Sequence, residues 1–209
     1  MRPTTSILVA IAAGLLVACH TLPPPYDPPA DAPRLGVFPP DRIEAEAAAV
    51  LASQGVGPAI RESVMARLRE LLRDPEVAPQ IASPGVGAIA AFHRGGGGFL
   101  FKVTNGTGIV AFPGGVPARP IRLDHWLFGA VVGGETSYGV ILAIGLRYPE
   151  SFAGRYATRE TGGTFAMTSF RTGFGEAWHA QHQLRIVGSG VGAIGEAGYG
   201  QLDIRFADP

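Results

Sequence analysis

The sequence predicts an α+β chain that is mostly β, with short N-terminal helices packed on a glycine-rich, largely antiparallel sheet or barrel-like domain. Thirty of 209 residues are glycine and only 16% are charged, a composition that helix interiors do not support. Short β-branched and aromatic runs broken by glycine and proline follow one another from about residue 85, whereas helical spacing of apolar residues is concentrated between residues 41 and 73. Basic and acidic residues balance at 17 each. No overall field draws the chain to nucleic acid, and none is expected as a partner.

Residues 1–18 read as an export signal. One basic residue, Arg2, precedes an apolar run from Ile7 to Ala18 that is too short to span a bilayer but suits the hydrophobic region of a signal peptide. Leu16-Val17-Ala18-Cys19 then resembles the lipobox of bacterial lipoproteins, which implies cleavage after Ala18 and acylation of Cys19. An ordinary secretory signal with an incidental cysteine is the alternative, but the single Cys of the chain stands at the position the motif requires. Two or more acyl chains give stable anchoring, so a lipid bilayer is the expected partner of Cys19. His20 stands where an aspartate would signal inner-membrane retention, which favours the outer membrane, facing the periplasm. Residues 19–40 carry Pro23-Pro24-Pro25, Pro28-Pro29, Pro33 and Pro39-Pro40 and read as an extended tether, at about 3.1 Å per residue.

The globular domain is expected over residues 41–209. Asp41 is placed to cap a helix through Ile43, Ala47, Val50 and Leu51, and Gly55-Val56-Gly57 ends it before Pro58 opens a second. In the second helix Val64, Met65, Leu68, Leu71 and Leu72 form an apolar stripe opposite Arg61, Glu62, Arg67, Arg69, Glu70 and Arg73, as in a helix laid on a sheet. Strands are expected from Gly85 to Phe92 and over Phe99–Thr104 and Thr107–Phe112, with Gly95–Gly98 as a break and Asn105-Gly106 as a hairpin turn. A second hairpin is expected from Trp126–Val132 and Tyr138–Leu146 around a turn at Gly133–Thr136. A short helix is expected over Pro149–Arg159, and strands over Thr164–Phe170, Leu184–Ser189, Val191–Ala197 and Gln201–Phe206.

No motif in the sequence specifies a reaction. Gly190, Gly192 and Gly195 satisfy G-x-G-x-x-G, but only 14 residues follow Gly195, too few for the βαβ unit and its acidic residue. His179-x-x-His182 near Glu176 lacks a third metal ligand at a recognised spacing, so no metal and no cofactor is expected. Asp124-His125 with one of the serines is the material for a hydrolase, yet no serine lies in G-x-S-x-G. Glu135 and Glu150 have the chemistry of a carboxylate pair, without a distance from sequence.

The stretches GVGAIAAFHRGGGGFLFKVTNGTGIVAF and GGETSYGVILAIGL resemble the SYLF domain, a lipid-binding family also found in bacterial lipoproteins. There a helical segment precedes a strand, a glycine-rich break, a hairpin and a strand with Ser-x-Gly-x-Gln-x-Gly. Ser137 and Gly139 match that pattern, while Ile141 and Ala143 depart from it. The resemblance implies a non-catalytic domain that binds lipid or another apolar ligand, with Phe92, Arg94, Phe99, Ser137 and Gly139 as candidate contacts. The competing expectations are a structural or assembly lipoprotein with envelope proteins as its only partners, and an envelope hydrolase using Asp124 and His125.

Overall fold

The computed structural model describes residues 27–164, 170–179 and 182–207. The expected signal peptide and lipobox, with Leu16, Val17, Ala18 and Cys19, lie outside the described residues. A one-turn 3-10 helix, Pro40–Arg42, leads into α1 (Ile43–Ala52), followed by α2 (Pro58–Arg73) and α3 (Ala78–Ala82). The rest is β1 (Val86–Ala111), β2 (Arg119–Ile144), β3 (Gly154–Thr164), β4 (Phe170–His179) and β5 (His182–Phe206), with a 3-10 turn at Pro149–Phe152 before β3. The chain is mostly β, as its glycine and strand patterning predict.

Every strand pairing is antiparallel, and β5 meets different strands along its two halves on one side. Residues 86–99 of β1 pair with 132–144 of β2, and residues 101–110 pair with 119–128. The strand β2 pairs with β5 from Ile121 to Ile144 without a register shift. On its other side β5 takes β3 along 194–204 and β4 along 182–191, and β3 and β4 pair with each other. The two halves of β1 also come back on one another: an added Cβ on Gly96 or Gly98 would run into the backbone of Thr104 or Lys102, and one on Gly106 or Gly108 into that of Arg94 or Phe92. Followed from partner to partner, the segments run round a curled, barrel-like sheet whose last member, 101–111, returns to its first, 86–98.

This arrangement corrects four local expectations. Asn105-Gly106 is not a turn. Both residues lie within β1 opposite Asp124 and Leu123, and Gly106 is bare because a Cβ there would collide with His93 and Arg94. The chain reverses instead at Leu100, whose φ of 62° takes the left-handed region that a tight reversal requires. Gly95–Gly98 do not break the strand but continue it, paired with Thr136 to Gly133. Residues Gly133–Thr136 close no separate hairpin, since β2 runs on against β5 through them. Finally, Asp41 does not cap α1: it sits in the 3-10 turn, and the residue before the helix is Arg42, with no side-chain cap.

The two N-terminal helices agree with expectation, whereas the helix expected over Pro149–Arg159 is a 3-10 turn at Pro149–Phe152 only, because Gly154–Thr164 pairs as a strand with β5. Pro58 opens α2, and Val64, Met65, Leu68 and Leu71 are buried. They pack with Ile43, Ala47 and Leu51 of α1 against Ile89, Ala91, Val140, Leu142, Ile144 and Val187 on the outer face of the sheet. Arg69 of α2 joins α1 through Glu44 at 2.6 Å and also pairs with Glu62 of its own helix at 3.0 Å. The alternate residues of the same strands, Ala88, Ala90, Phe92, Ile141, Ala143, Leu184 and Ile186, fill the inside with Ile121, Leu123, Tyr156, Leu202 and Ile204. That double burial explains why residues 86–92 carry no polar side chain.

The segment before residue 41 is not wholly a free tether. The Leu35 amide donates to the Arg147 carbonyl at 2.8 Å and that of Phe38 to the Val86 carbonyl at 2.8 Å, and the Phe38 side chain is part of the helix-side core. The proline-rich chain therefore joins the domain at the end of the sheet where β1 begins and β2 ends, opposite Leu100.

Candidate functional site

Beyond residue 92 the inside of the sheet turns polar. Lys102, Thr104, His125, Ser137 and Thr158 are all buried, and Lys102 is wholly so. Arg94 donates through Nε to Ser137 Oγ at 3.3 Å, and its Nη1 lies 3.5 Å from His125 Nδ1. On the far side of the imidazole, Nε2 meets Thr158 Oγ1 at 3.1 Å. A guanidinium only donates, so Nδ1 must accept and Nε2 carries the hydrogen that goes to Thr158. Three strands thus hold one hydrogen-bonded row across the interior: β1 supplies Arg94, β2 supplies His125 and Ser137, and β3 supplies Thr158.

Glycines make room for that row. A Cβ on Gly139 would come 2.5 Å from the Phe92 ring and 2.5 Å from the Val187 carbonyl oxygen, and one on Gly190 would meet the backbone and Cβ of Ser137. The Phe92 ring lies on bare Gly139, and Arg94 reaches past it toward Ser137. The space left between Phe92, Arg94, Thr104, Leu123, His125, Ile141, Ile186 and Leu202 is about 10 Å³. That is room for about one water molecule, and no lipid chain or sugar fits there.

Nearer the base, Tyr156 donates from its hydroxyl to the Phe152 carbonyl at 2.7 Å and faces His182 Nε2 at 2.9 Å. Burial pushes the Tyr156 phenol well above its ordinary range, because a phenolate in that setting would lose its hydration. His179 and His182 are register partners on β4 and β5 and do not share a helical face. Among the described residues no three metal-ligating side chains come together.

The candidate contacts therefore divide. Phe92, Arg94, Ser137 and Gly139 meet in one interior cluster, and Phe92 is only 2% exposed. Phe99 lies apart at the far end of the barrel, 73% exposed. Asp124 and His125 point to opposite faces: His125 is inside, while Asp124 accepts from Arg205 Nη2 at 2.6 Å on the outside. They do not form the acid and base of a triad, and Ser137 is bonded to Arg94 instead.

The far end has a character of its own. Phe99, Leu100, Phe101, Val103, Phe128 and Tyr199 are six of the seven large hydrophobic side chains exposed among the described residues. Phe101, Phe128 and Tyr199 are consecutive register partners across β1, β2 and β5, and Phe101 stacks on Trp126 with ring centroids 6.1 Å apart. Isolated exposed hydrophobics are ordinary on soluble proteins, but a contiguous group marks a contact surface.

The alternation at residues 99–104 was legible, but its direction was not. Apolar Phe101 and Val103 face out, while Lys102 and Thr104 face in. The signal lay in the even-numbered small residues Ala88, Ala90, Gly96, Gly98, Gly106 and Gly108, which share one face of β1 with Lys102 and Thr104. A face lined with alanine and glycine is the one that faces close-packed neighbours.

No protein-family model matches the sequence, and no curated protein is significantly similar to it. Among solved structures, the chain is similar to a beta-barrel-like, uncharacterized protein from Brucella abortus, at 14% identity and a TM-score of 0.45 over 83% of this chain and 97% of that one.

Proposed function

We propose that the chain is a membrane-anchored envelope lipoprotein whose β-rich domain binds lipid or another apolar ligand and catalyses no reaction. The observation that carries the binding half is the aromatic tip, with Phe101, Phe128 and Tyr199 in one row and Phe99 and Leu100 above it. Lipobox-like Leu16-Val17-Ala18-Cys19 carries the anchoring half. The cavity between Arg94 and His125, at about 10 Å³, is too small for an apolar ligand, which favours the exposed tip as the binding surface.

The test is native mass spectrometry of the mature chain extracted from bacterial membranes in mild detergent. An acyl mass increment on Cys19 and a retained lipid in stoichiometric amount are the expected results. A chain that begins elsewhere than Cys19 refutes the anchor, and a chain that retains no lipid and ignores liposomes refutes the ligand.

A further inference from the structure

We propose that the aromatic tip docks into the interface of the same bilayer that holds Cys19, so that the domain is attached at both of its poles; this deepens the lipoprotein assignment above and rests on it. The tip is convex. Leu100 stands at its apex with φ 62°, Phe99 is 73% and Tyr199 64% exposed, and Gly97, Gly98, Gly133, Gly134 and Gly200 surround the large side chains with none of their own. Lys102, the one charged residue of 97–103, is turned fully inward. A protein-binding patch carries a polar rim around its apolar centre, whereas large aromatics and leucine standing out on small residues suit the headgroup boundary of a bilayer, where an amphipathic ring is half apolar and half wet.

Chain length decides which bilayer. Among the described residues, the first backbone bond tying the N-terminal segment to the domain is made by Leu35, so 15 residues, or sixteen Cα steps, separate Cys19 from the barrel base. Fully extended at about 3.1 Å per residue those steps reach at most roughly 50 Å, less a few ångströms for the turn that the Ala32 amide closes on the Pro29 carbonyl. From Val86 at the base to Phe99 at the tip the strand rises 13 residues, roughly 43 Å along its length and roughly 30–35 Å along the axis of a barrel with ordinarily tilted strands. The tether is longer than the barrel is tall, so the domain can turn tip-down onto the membrane in which its own anchor sits. The acyl chains then supply residence on the membrane and the tip supplies orientation.

Trp126, stacked on Phe101, is a built-in depth probe. The acylated full chain carrying Trp178→Phe is reconstituted into phosphatidylethanolamine and phosphatidylglycerol vesicles, with or without brominated acyl chains. Trp126 emission should fall by about half in the brominated vesicles, as for a group held roughly 5–10 Å into the headgroup boundary. The double variant Phe99→Ser/Leu100→Ser should lose that quenching while remaining vesicle-bound and melting within a few degrees of its parent. Equal emission in both vesicles from a chain that is vesicle-bound would overturn the proposal, and a concentration-dependent dimer dissolved by the double variant would assign the tip to a second copy instead. If Cys19 carries no acyl chain, the lipoprotein assignment has failed and two-pole attachment fails with it. Flotation of the unlipidated chain with the same vesicles, lost in the double variant, would then show that the tip alone still binds lipid.

Discussion

Replacing Gly139 with alanine tests whether the interior is built as described. The added Cβ would lie 2.5 Å from both the Phe92 ring and the Val187 carbonyl oxygen, where ordinary contact begins at 3.4 Å. The ring and the oxygen would each have to yield 3.4 − 2.5 = 0.9 Å. Neither has the space. Phe92 borders a cavity of only about 10 Å³, and Val187 is held in the ladder opposite Val140. Overpacking of this kind costs about 1–3 kcal/mol, and the entropic benefit of Gly→Ala returns only about 0.4–1 kcal/mol. A net loss of about 1.3 kcal/mol is expected, or roughly 3–5 °C in Tm for a domain of this length. Gly134→Ala is the control, because its Cβ would meet only the Gly96 oxygen at 3.4 Å. Urea denaturation followed by tryptophan emission measures both. In the double variant with Phe92→Ala, itself costing about 3–5 kcal/mol, the losses should be less than additive by about 1 kcal/mol or more. If Gly139→Ala melts with Gly134→Ala, or adds fully to Phe92→Ala, Phe92 does not lie on Gly139 and the interior packing is wrong.

Three further outcomes follow from other parts of the molecule. Gly106→Ala should lower stability by about 2 kcal/mol while Asn105→Ala stays within about 0.5 kcal/mol in the same urea titration; a turn at these positions would instead make the asparagine matter. Stability should hold from neutral pH up to about 10, the unfolded tyrosine pKa, and then fall by up to about 1.4 kcal/mol per pH unit, because the folded Tyr156 keeps its proton more tightly than the unfolded chain does. In Tyr156→Phe the alkaline slope should shrink, and an unchanged slope above pH 10 would assign it to other groups. Nitrogen-15 shifts of His125 at neutral pH should report hydrogen on Nε2, and an Nδ1–H signal would break the proposed contact with Arg94.

The parts of the fold visible in sequence were those set by one strong local preference. Pro58 at a helix start and the stripe Val64, Met65, Leu68, Leu71 need no knowledge of the rest of the chain. Glycine was the ambiguous residue. Asn105-Gly106 satisfies hairpin chemistry, yet Gly106 is selected by the Arg94 backbone across the sheet, a contact twelve residues away that no local rule contains. Likewise Gly95–Gly98 look like a break because glycine lacks strand propensity, but pairing on β2 overrides that preference. The candidate site was half legible. Arg94 and Ser137 were singled out on separate segments and prove to be bonded, whereas Thr104 and Thr158 carry no sequence signal that separates them from other strand threonines. Phe128 and Tyr199 join Phe101 only through register, which the sequence does not fix.

The same glycines link the polar interior to the apolar tip. A strand residue faces inside or outside by parity alone, so filling the even positions of β1 with Ala88, Ala90, Gly96, Gly98, Gly106 and Gly108 lets neighbouring backbones close in and leaves little inside volume for large side chains. Near the base, both faces remain apolar because α1 and α2 cover the outside. Beyond the row of His93, Tyr138 and Ser189, where Ser63 of α2 still bonds Ser189, no helix among the described residues packs on the sheet, and an ordinary protein would place polar residues there on the outside. Here Arg94, Lys102 and His125 have gone inside, where hydrogen bonds offset the loss of water, and Phe101, Val103, Phe128 and Tyr199 have gone outside. Stability alone does not account for that exchange, since inverting it would bury more apolar surface and hydrate more charge. An outward-facing aromatic row is retained at the cost of folding free energy when its partner lies outside the chain, which accords with the membrane contact proposed for the tip.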